Sequence, residues 1–315
     1  MRKWKNWWLM AGLIIMTSCK TLVTGLQVEK VLLLNDFPSG SSLEYYNNRL
    51  YLGGDDATRL LILDTGYNRK DSIILFESEL TRIPKDLKAD LEASAIITLN
   101  DRPHLLLIGS ASLPTREKII IIPLNDTANL QVQSTGTYFK RLVNSGISDV
   151  NIEGATTAGK LLIMSNRGNL TRPNNQLVFT NTNFWLHQLT APIDTAVIIL
   201  PHTKTFTGIS GLAYIEKNDL LLFTASTELT RNSFDDGDIG NSYIGWIKNI
   251  SSQTGKKKIL ADGFINLTDA NNIFAKEKIE SICVSHSQAN THTIHLVSDN
   301  DNGASRLFKV RMTIE

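Results

Sequence analysis

The chain has 315 residues, 42% hydrophobic and 20% charged, with 32 Lys and Arg against 31 Asp and Glu, a net charge of +1. This is the composition of a globular protein, and it offers no basic tract for a nucleic-acid polymer. With only Cys19 and Cys283 present, lipidation of the first leaves a single thiol and no internal disulfide, so stability must come from the core.

The first twenty residues, MRKWKNWWLMAGLIIMTSCK, run from a basic start (Arg2, Lys3, Lys5) through an apolar stretch from Trp7 to Met16 to small and polar residues before a cysteine. That layout is a signal peptide's. The apolar stretch spans about ten residues, where a permanent membrane helix needs about twenty. Met16-Thr17-Ser18-Cys19 resembles the bacterial lipobox, in which cleavage frees the cysteine amine and a diacylglyceryl group is attached to its sulfur. The sequence therefore predicts a signal peptide over 1–18, lipidated Cys19 with a short linker over 19–27, and a folded domain over 28–315. The expected location is the bacterial cell envelope, with the protein held as a monomer at the outer membrane through its lipid.

Beyond residue 28 no apolar stripe of helical period is long enough for a convincing helix. Short β-rich runs punctuated by Gly, Asn and Asp dominate, among them LYLGG, TRLLILD, HLLLIG, KIIIIPL, KLLIMS, DLLLFTAS and TIHLVSD. The fold is read as all-β. Five segments align: SGSSLEYYNNRLYLGGDD from Ser39, DLEASAIITLNDRPHLLLIGS from Asp90, NIEGATTAGKLLIMSNRG from Asn151, GISGLAYIEKNDLLLFTAS from Gly208 and KIESICVSHSQANTHTIHLVSD from Lys278. The third residue of each is a polar anchor, namely Ser41, Glu92, Glu153, Ser210 and Glu280, at spacings of 51, 61, 57 and 70 residues. Each spacing accommodates a four-stranded sheet with loops, which is one propeller blade.

Five copies predict a five-bladed β-propeller, with a β-sandwich or a six-bladed ring as alternatives. The last segment is followed by one further good strand, LFKVRMTI, so the fifth blade lacks its outermost member. The run from Val28 to Asn35 precedes the first anchor and can supply it, pairing the two ends of the chain and removing exposed sheet edges.

The first strand of a blade lines the central channel, and side chains alternate faces with period two. Ser41, Glu92, Glu153, Ser210 and Glu280 can then meet near the axis. Three converging carboxylates repel one another unless their pKa values rise or a cation binds. Hard oxygen ligands of this kind suit Ca²⁺. The alternative is a wet channel in which the Glu side chains accept backbone hydrogen bonds.

The anchors, with SLEYYNNRLYLGGDD and IEGATTAGKLLIMSNRG, resemble the calcium-activated nucleotidases, or soluble apyrases, in short motifs. That resemblance implies a five-bladed propeller with calcium on its axis, ligated from the five anchor positions, and hydrolysis of nucleoside di- and triphosphates. The chain also resembles uncharacterised Bacteroidota lipoproteins and, more distantly, phytase-like esterase propellers. Phosphoanhydride hydrolysis needs cations against phosphate oxygens and a base to orient water. The ends of the second strands offer Asp55, Asp56, Arg59, Arg116, Arg167, Glu228, Asp299 and Asp301 at the channel mouth. From these, Asp55, Asp56, Arg167 and Glu228 are the catalytic candidates, with a small anionic substrate or ligand. Each also reads as a solvated turn residue.

Other motifs fail. His292 and His295 stand three apart on a strand and face opposite sides. The stretch from Asp299 has Val310 where an EF-hand needs a bidentate Glu. Serine-hydrolase, zincin and P-loop signatures are missing from the sequence. Two function classes remain: a calcium-dependent hydrolase, and a non-catalytic propeller that displays a binding surface.

Overall fold

The computed structural model describes residues 23–201, 203, 205–228, 239–300 and 303–315, so the predicted signal peptide, Cys19 and Asp301 lie outside the described residues. In chain order the strands are β1 (Val23–Leu34); β2 (Gly40–Tyr46), β3 (Arg49–Gly54), β4 (Arg59–Asp64) and β5 (Arg69–Ile74); β6 (Leu91–Leu99), β7 (Arg102–Gly109), β8 (Lys118–Pro123) and β9 (Gln131–Ser134). A helix, α1 (Gly136–Asn144), leads into β10 (Ile152–Ala158), β11 (Leu161–Asn166), β12 (Gln176–Asn181) and β13 (Asp194–Ile199). There follow β14 (Thr207–Ile215), β15 (Leu220–Glu228), β16 (Ile239–Lys248), β17 (Lys258–Leu260) and β18 (Gly263–Asn266), and then β19 (Ile279–Gln288), β20 (Thr291–Asp299) and β21 (Ser305–Ile314).

Hydrogen bonding gathers these into five sheets, each with the first strand of its repeat at one edge: β2, β6, β10, β14 and β19. The arrangement is a five-bladed β-propeller. Hairpin geometry is visible in the turn residues: Asn47 and Asn48, and again Asn100 and Asp101, both take positive φ, as the two central residues of a type I′ turn must. Middle strands such as KIIIIP read as unbroken apolar runs because neighbouring blades cover both their faces. Five hydrophobic clusters fill the five spaces between adjacent blades, the last joining Leu307 and Val297 of blade five to Leu43 and Leu50 of blade one.

The ring closes between the chain ends as the sequence predicts, but the closing strand starts at Val23, inside the stretch read as a linker over 19–27. β1 pairs antiparallel with β21 from Val23↔Ile314 to Leu34↔Ser305 and so forms the outer strand of the last blade. Two further features depart from the sequence reading. Helix α1 buries Tyr138, Phe139 and Leu142 in the core between blades two and three. At nine residues it is too short for its periodicity to stand out. Blade three also gains a fifth strand, β17, which leaves the β16–β18 connection of blade four to run parallel to β13. That pairing ties two blades together across a long loop, which no local pattern announces.

Candidate functional site at the axial mouth

Each innermost strand carries a β-bulge where it pairs with its neighbour, and each bulge falls at a predicted anchor. Pairing jumps from Gly40 to Ser42, Leu91 to Ala93, Ile152 to Gly154, Ile209 to Leu212 and Ile279 to Ser281. The residues left out are Ser41, Glu92, Glu153, Ser210 with Gly211, and Glu280. A bulge re-aims a side chain and bends its strand, so the same distortion makes the five anchors equivalent. The residue after each anchor is small: Ser42, Ala93, Gly154, Gly211 and Ser281. The reason is close approach at the axis, since a Cβ on Gly211 would lie 2.6 Å from the Ser281 Cα of the next blade.

Blades three to five build one half of the site around Arg167, just beyond β11. Its guanidinium passes over Gly208, where a Cβ would overlap Nε. Nη1 donates to Ser210 Oγ at 2.9 Å and stands 3.6 Å from Glu153 Oε2 and 4.0 Å from Glu280 Oε2. Nη2 donates to Ser226 Oγ at 3.0 Å and Glu228 Oε2 at 3.1 Å. Lys278 bridges Glu280 and Glu228 at 2.9 and 3.2 Å. Glu153 also accepts from Asn151 Nδ2 at 2.6 Å. Burial raises the Glu153 carboxyl to about 7, against the lowering by Arg167 and with a further push from Glu280. Burial alone would lower Arg167, but Glu153, Glu228 and Glu280 outweigh it and hold the guanidinium charged.

Blades one and two build the other half. Lys88 Nζ pairs with Asp55 and, at 2.7 Å, with Asp90 Oδ1, while Arg116 Nη1 donates to Asp90 Oδ2 at 2.7 Å. Arg82 Nε donates to Asp56 Oδ2 at 2.7 Å. Burial pushes Asp55 up to about 6 against the pull of Lys88, and drives Glu92 well above the usual carboxylate range, helped by Asp90, Asp55 and Glu153. Beside this half lies a cavity of about 310 Å³ lined by Ser39, Asp55, Asp56, Arg82, Lys85 and Lys88, among others.

The structure thus joins Arg167 with Glu228, and Asp55 with Asp56, in separate halves flanking the anchors. Ser41 turns its hydroxyl to the Leu91 carbonyl at 2.6 Å. Arg59 is exposed away from these contacts, and Arg116 is a buried partner of Asp90. Sequence reasoning passed over Lys88, Asp90, Lys278 and Ser226. A signal existed for two of them: Ser39, Asp90, Asn151, Gly208 and Lys278 each precede an anchor by two residues, and the structure brings all five beside the site.

The charge argument for an axial calcium assumed three unneutralised carboxylates. Instead, Arg167 and Lys278 already stand against Glu153 and Glu280. Among the described residues the carboxylates close enough to share one cation are Asp55, Asp90 and Glu92, with ligand oxygens within 4.8 Å of one another. Oδ1 of Asp55 is buried with no hydrogen-bond partner among the described residues, so this group suits a hard cation.

With this geometry in hand, the sequence matches the family described as "Family of unknown function (DUF6929)" over residues 36–312. The chain belongs to the DUF6929 family. No match is found among curated proteins. Among solved structures, the DUF6929 chain is similar to the glutaminyl cyclase of Myxococcus xanthus, at 12% identity and a TM-score of 0.53, covering 92% of this chain and 97% of that one. It is also similar to a DUF4221 member from Bacteroides vulgatus, at 9% identity and 0.45, covering 92% and 98%. A third is virginiamycin B lyase from Staphylococcus aureus, at 8% and 0.39, covering 90% and 99%. At these identities the first likeness speaks for the propeller fold alone.

Proposed function

We propose that the protein is an envelope lipoprotein whose axial mouth is the active site of a calcium-dependent hydrolase of phosphate esters or anhydrides. The observation that carries this reading is the Glu153 carboxyl, set 3.6 Å from the buried Arg167 guanidinium and pushed up to about 7 by burial. A general acid or base works best when its pKa sits near the working pH. Arg167 and Ser210 fix the geometry on one side of Glu153, and Asn151 holds its other oxygen. Arg82, Lys85 and Lys88 line the neighbouring cavity and supply positive charge for a small anionic substrate. Asp55, Asp90 and Glu92 are the residues that would hold calcium; there the ion supplies neutralisation of phosphate oxygens and acidification of water.

The test is an assay of the mature chain against ADP, UDP, phytate and p-nitrophenyl phosphate across pH 5–9, with calcium or chelator. Expected is calcium-dependent turnover with an inflection near pH 7, lost in Glu153→Gln without loss of folding. Failure to turn over any of these with calcium present rules the reading out. Lipid attachment at Cys19 is tested separately: a fatty-acid probe should label the wild-type chain and not Cys19→Ala.

A second reading draws on the charge count. Asp55, Asp56, Asp90, Glu92, Glu153, Glu228 and Glu280 meet Arg82, Lys85, Lys88, Arg116, Arg167 and Lys278 at the mouth, and with Glu92 raised well above the usual carboxylate range the two signs nearly balance. Without calcium, that near-balance of signs suits a zwitterionic ligand, held as the guest of a non-catalytic module.

A further inference from the structure

We propose that Lys88 is the built-in competitor of a divalent cation at Asp55, Asp90 and Glu92, its ammonium standing where the ion would bind, so that occupancy of the site is set by displacement of that lysine. The inference deepens the calcium reading above by naming what controls the site; it relies on that reading only for the choice of ion.

Three observations lead to it. The first is the oxygen set itself, drawn from the ends of two blades and mutually within 4.8 Å. The second is where Lys88 sits: Nζ contacts Asp55 and Asp90 together, and the side chain is only 10% exposed. A buried ammonium bridging two carboxylates does with one charge what a divalent ion does with two, and Lys88 cannot remain there beside a bound ion without like-charge repulsion. The third reaches beyond the cluster to Asp56. Oδ1 of Asp55 and Oδ1 of Asp56 are buried and find no hydrogen-bond partner among the described residues, and the Asp56 side chain is only 9% exposed. Both residues line the cavity that Lys88 also lines. Buried acceptors left without donors are costly; Asp55 belongs to the oxygen set that a cation would serve, and Asp56 lines the cavity beside it.

The way out for Lys88 is short. It ends the connection between β5 and β6, which is pinned further back by Ile83 N donating to Asp56 O at 2.8 Å and by Arg82 on Asp56. The cavity of about 310 Å³ beside it has room for an extended lysine side chain to turn toward solvent. Lysine does this readily because its charge sits on a flexible four-carbon stem. Asp90 keeps Arg116 as partner when Lys88 leaves, so the ligand stays oriented. The remaining two ligands then face the ion with no lysine between them.

The experiment is calcium titration calorimetry on the wild-type chain, Lys88→Met, Lys88→Gln and Lys88→Met with Asp55→Asn. Removing a competing charge should tighten calcium binding by about tenfold or more, one pKa unit's worth of interaction. Adding Asp55→Asn should reverse that gain. Should Lys88→Met be poorly folded without metal, its thermal midpoint should rise on adding calcium more steeply than the wild type's, and Lys88→Gln carries the affinity comparison. A readout on the unaltered chain is mass-spectrometric acetylation, in which saturating calcium should expose Lys88 to the reagent. Equal affinity in all chains, or unchanged Lys88 labelling at saturating calcium, overturns the inference. Calcium binding that disappears in Glu280→Gln and is untouched by Asp55→Asn also overturns it, by placing the ion on the axis. Binding by Lys88→Met and not by the wild-type chain overturns it as well, because the lysine is then a permanent occupant that calcium does not displace.

Discussion

Arg167 shows what one side chain decides at this mouth. It is 7% exposed and faces three carboxylates, so its removal leaves them with Lys278 as their remaining close cation among the contacts described. Breaking a buried ion pair from one side costs about 3–5 kcal/mol, and Arg167→Met should destabilise the chain by that order in urea unfolding at pH 7. Removing the carboxylates' need for it by adding Glu228→Gln should recover part of the loss. Glu44, toward the other end of β2, gives a pH prediction. Burial raises its carboxyl well above the ordinary 4.5, so between 4.5 and its folded pKa the native chain binds more protons than the unfolded one. Its contribution is full below 4.5 and is lost as pH rises through the folded pKa. Glu44→Gln should therefore be the more stable form at pH 8, with the gap closing at pH 5; an equal gap at both pH values would contradict this. His295 acts with the opposite sign. Burial lowers it to about 3, so its contribution is present above the ordinary 6.5 and is lost as pH falls from there.

At the scale of a single strand, the repeated unit is a polar anchor on a bulge followed by a small residue. The polar residue was legible because it recurs once per repeat; the bulge was not, since nothing in SLEYY or IEGAT marks an unpaired position. Its physical role is to turn the anchor to the axis, while the small residue lets neighbouring inner strands meet. Gly211 is the tightest test of the second point. A methyl there meets the Ser281 Cα at 2.6 Å and nearby backbone of blade five, which cannot give way as a flexible side-chain tip can. Gly211→Ala should cost about 1–3 kcal/mol, the usual range for overpacking, read as a lowered denaturant midpoint at unchanged slope. Gly208→Ala should act differently, moving Arg167 rather than backbone, and should weaken function more than folding.

Across the whole molecule, β1 is the outer strand of blade five and carries ten paired positions against β21. Deleting residues 23–34 uncovers β21 and strips Leu26, Val28 and Val31 from the core between blades four and five, and Leu32 and Leu34 from the core between blades five and one. Leu34 is buried and the other four are half-buried; at about 1.5–3 kcal/mol for a fully buried side chain, their combined loss is a large part of the stability of an ordinary domain. The truncated chain should not fold cooperatively, and a melt matching the full chain would refute closure as a stability determinant. This closure, the blade count and the anchor positions could all be taken from the sequence, because each rests on short-range patterns repeated along the chain: apolar runs, Asn and Asp turns, and one polar residue per unit. What only the tertiary structure decided is which cations meet those anchors and Asp90 beside them. Arg167 follows a second strand of blade three, Lys278 precedes the first strand of blade five and Lys88 ends the link between blades one and two. Their meeting with Glu153, Glu280 and Asp90 is set by how blades pack around an axis and by the gap that Gly208 leaves. Charge compensation acts through space between residues far apart in the chain, and no local periodicity records it.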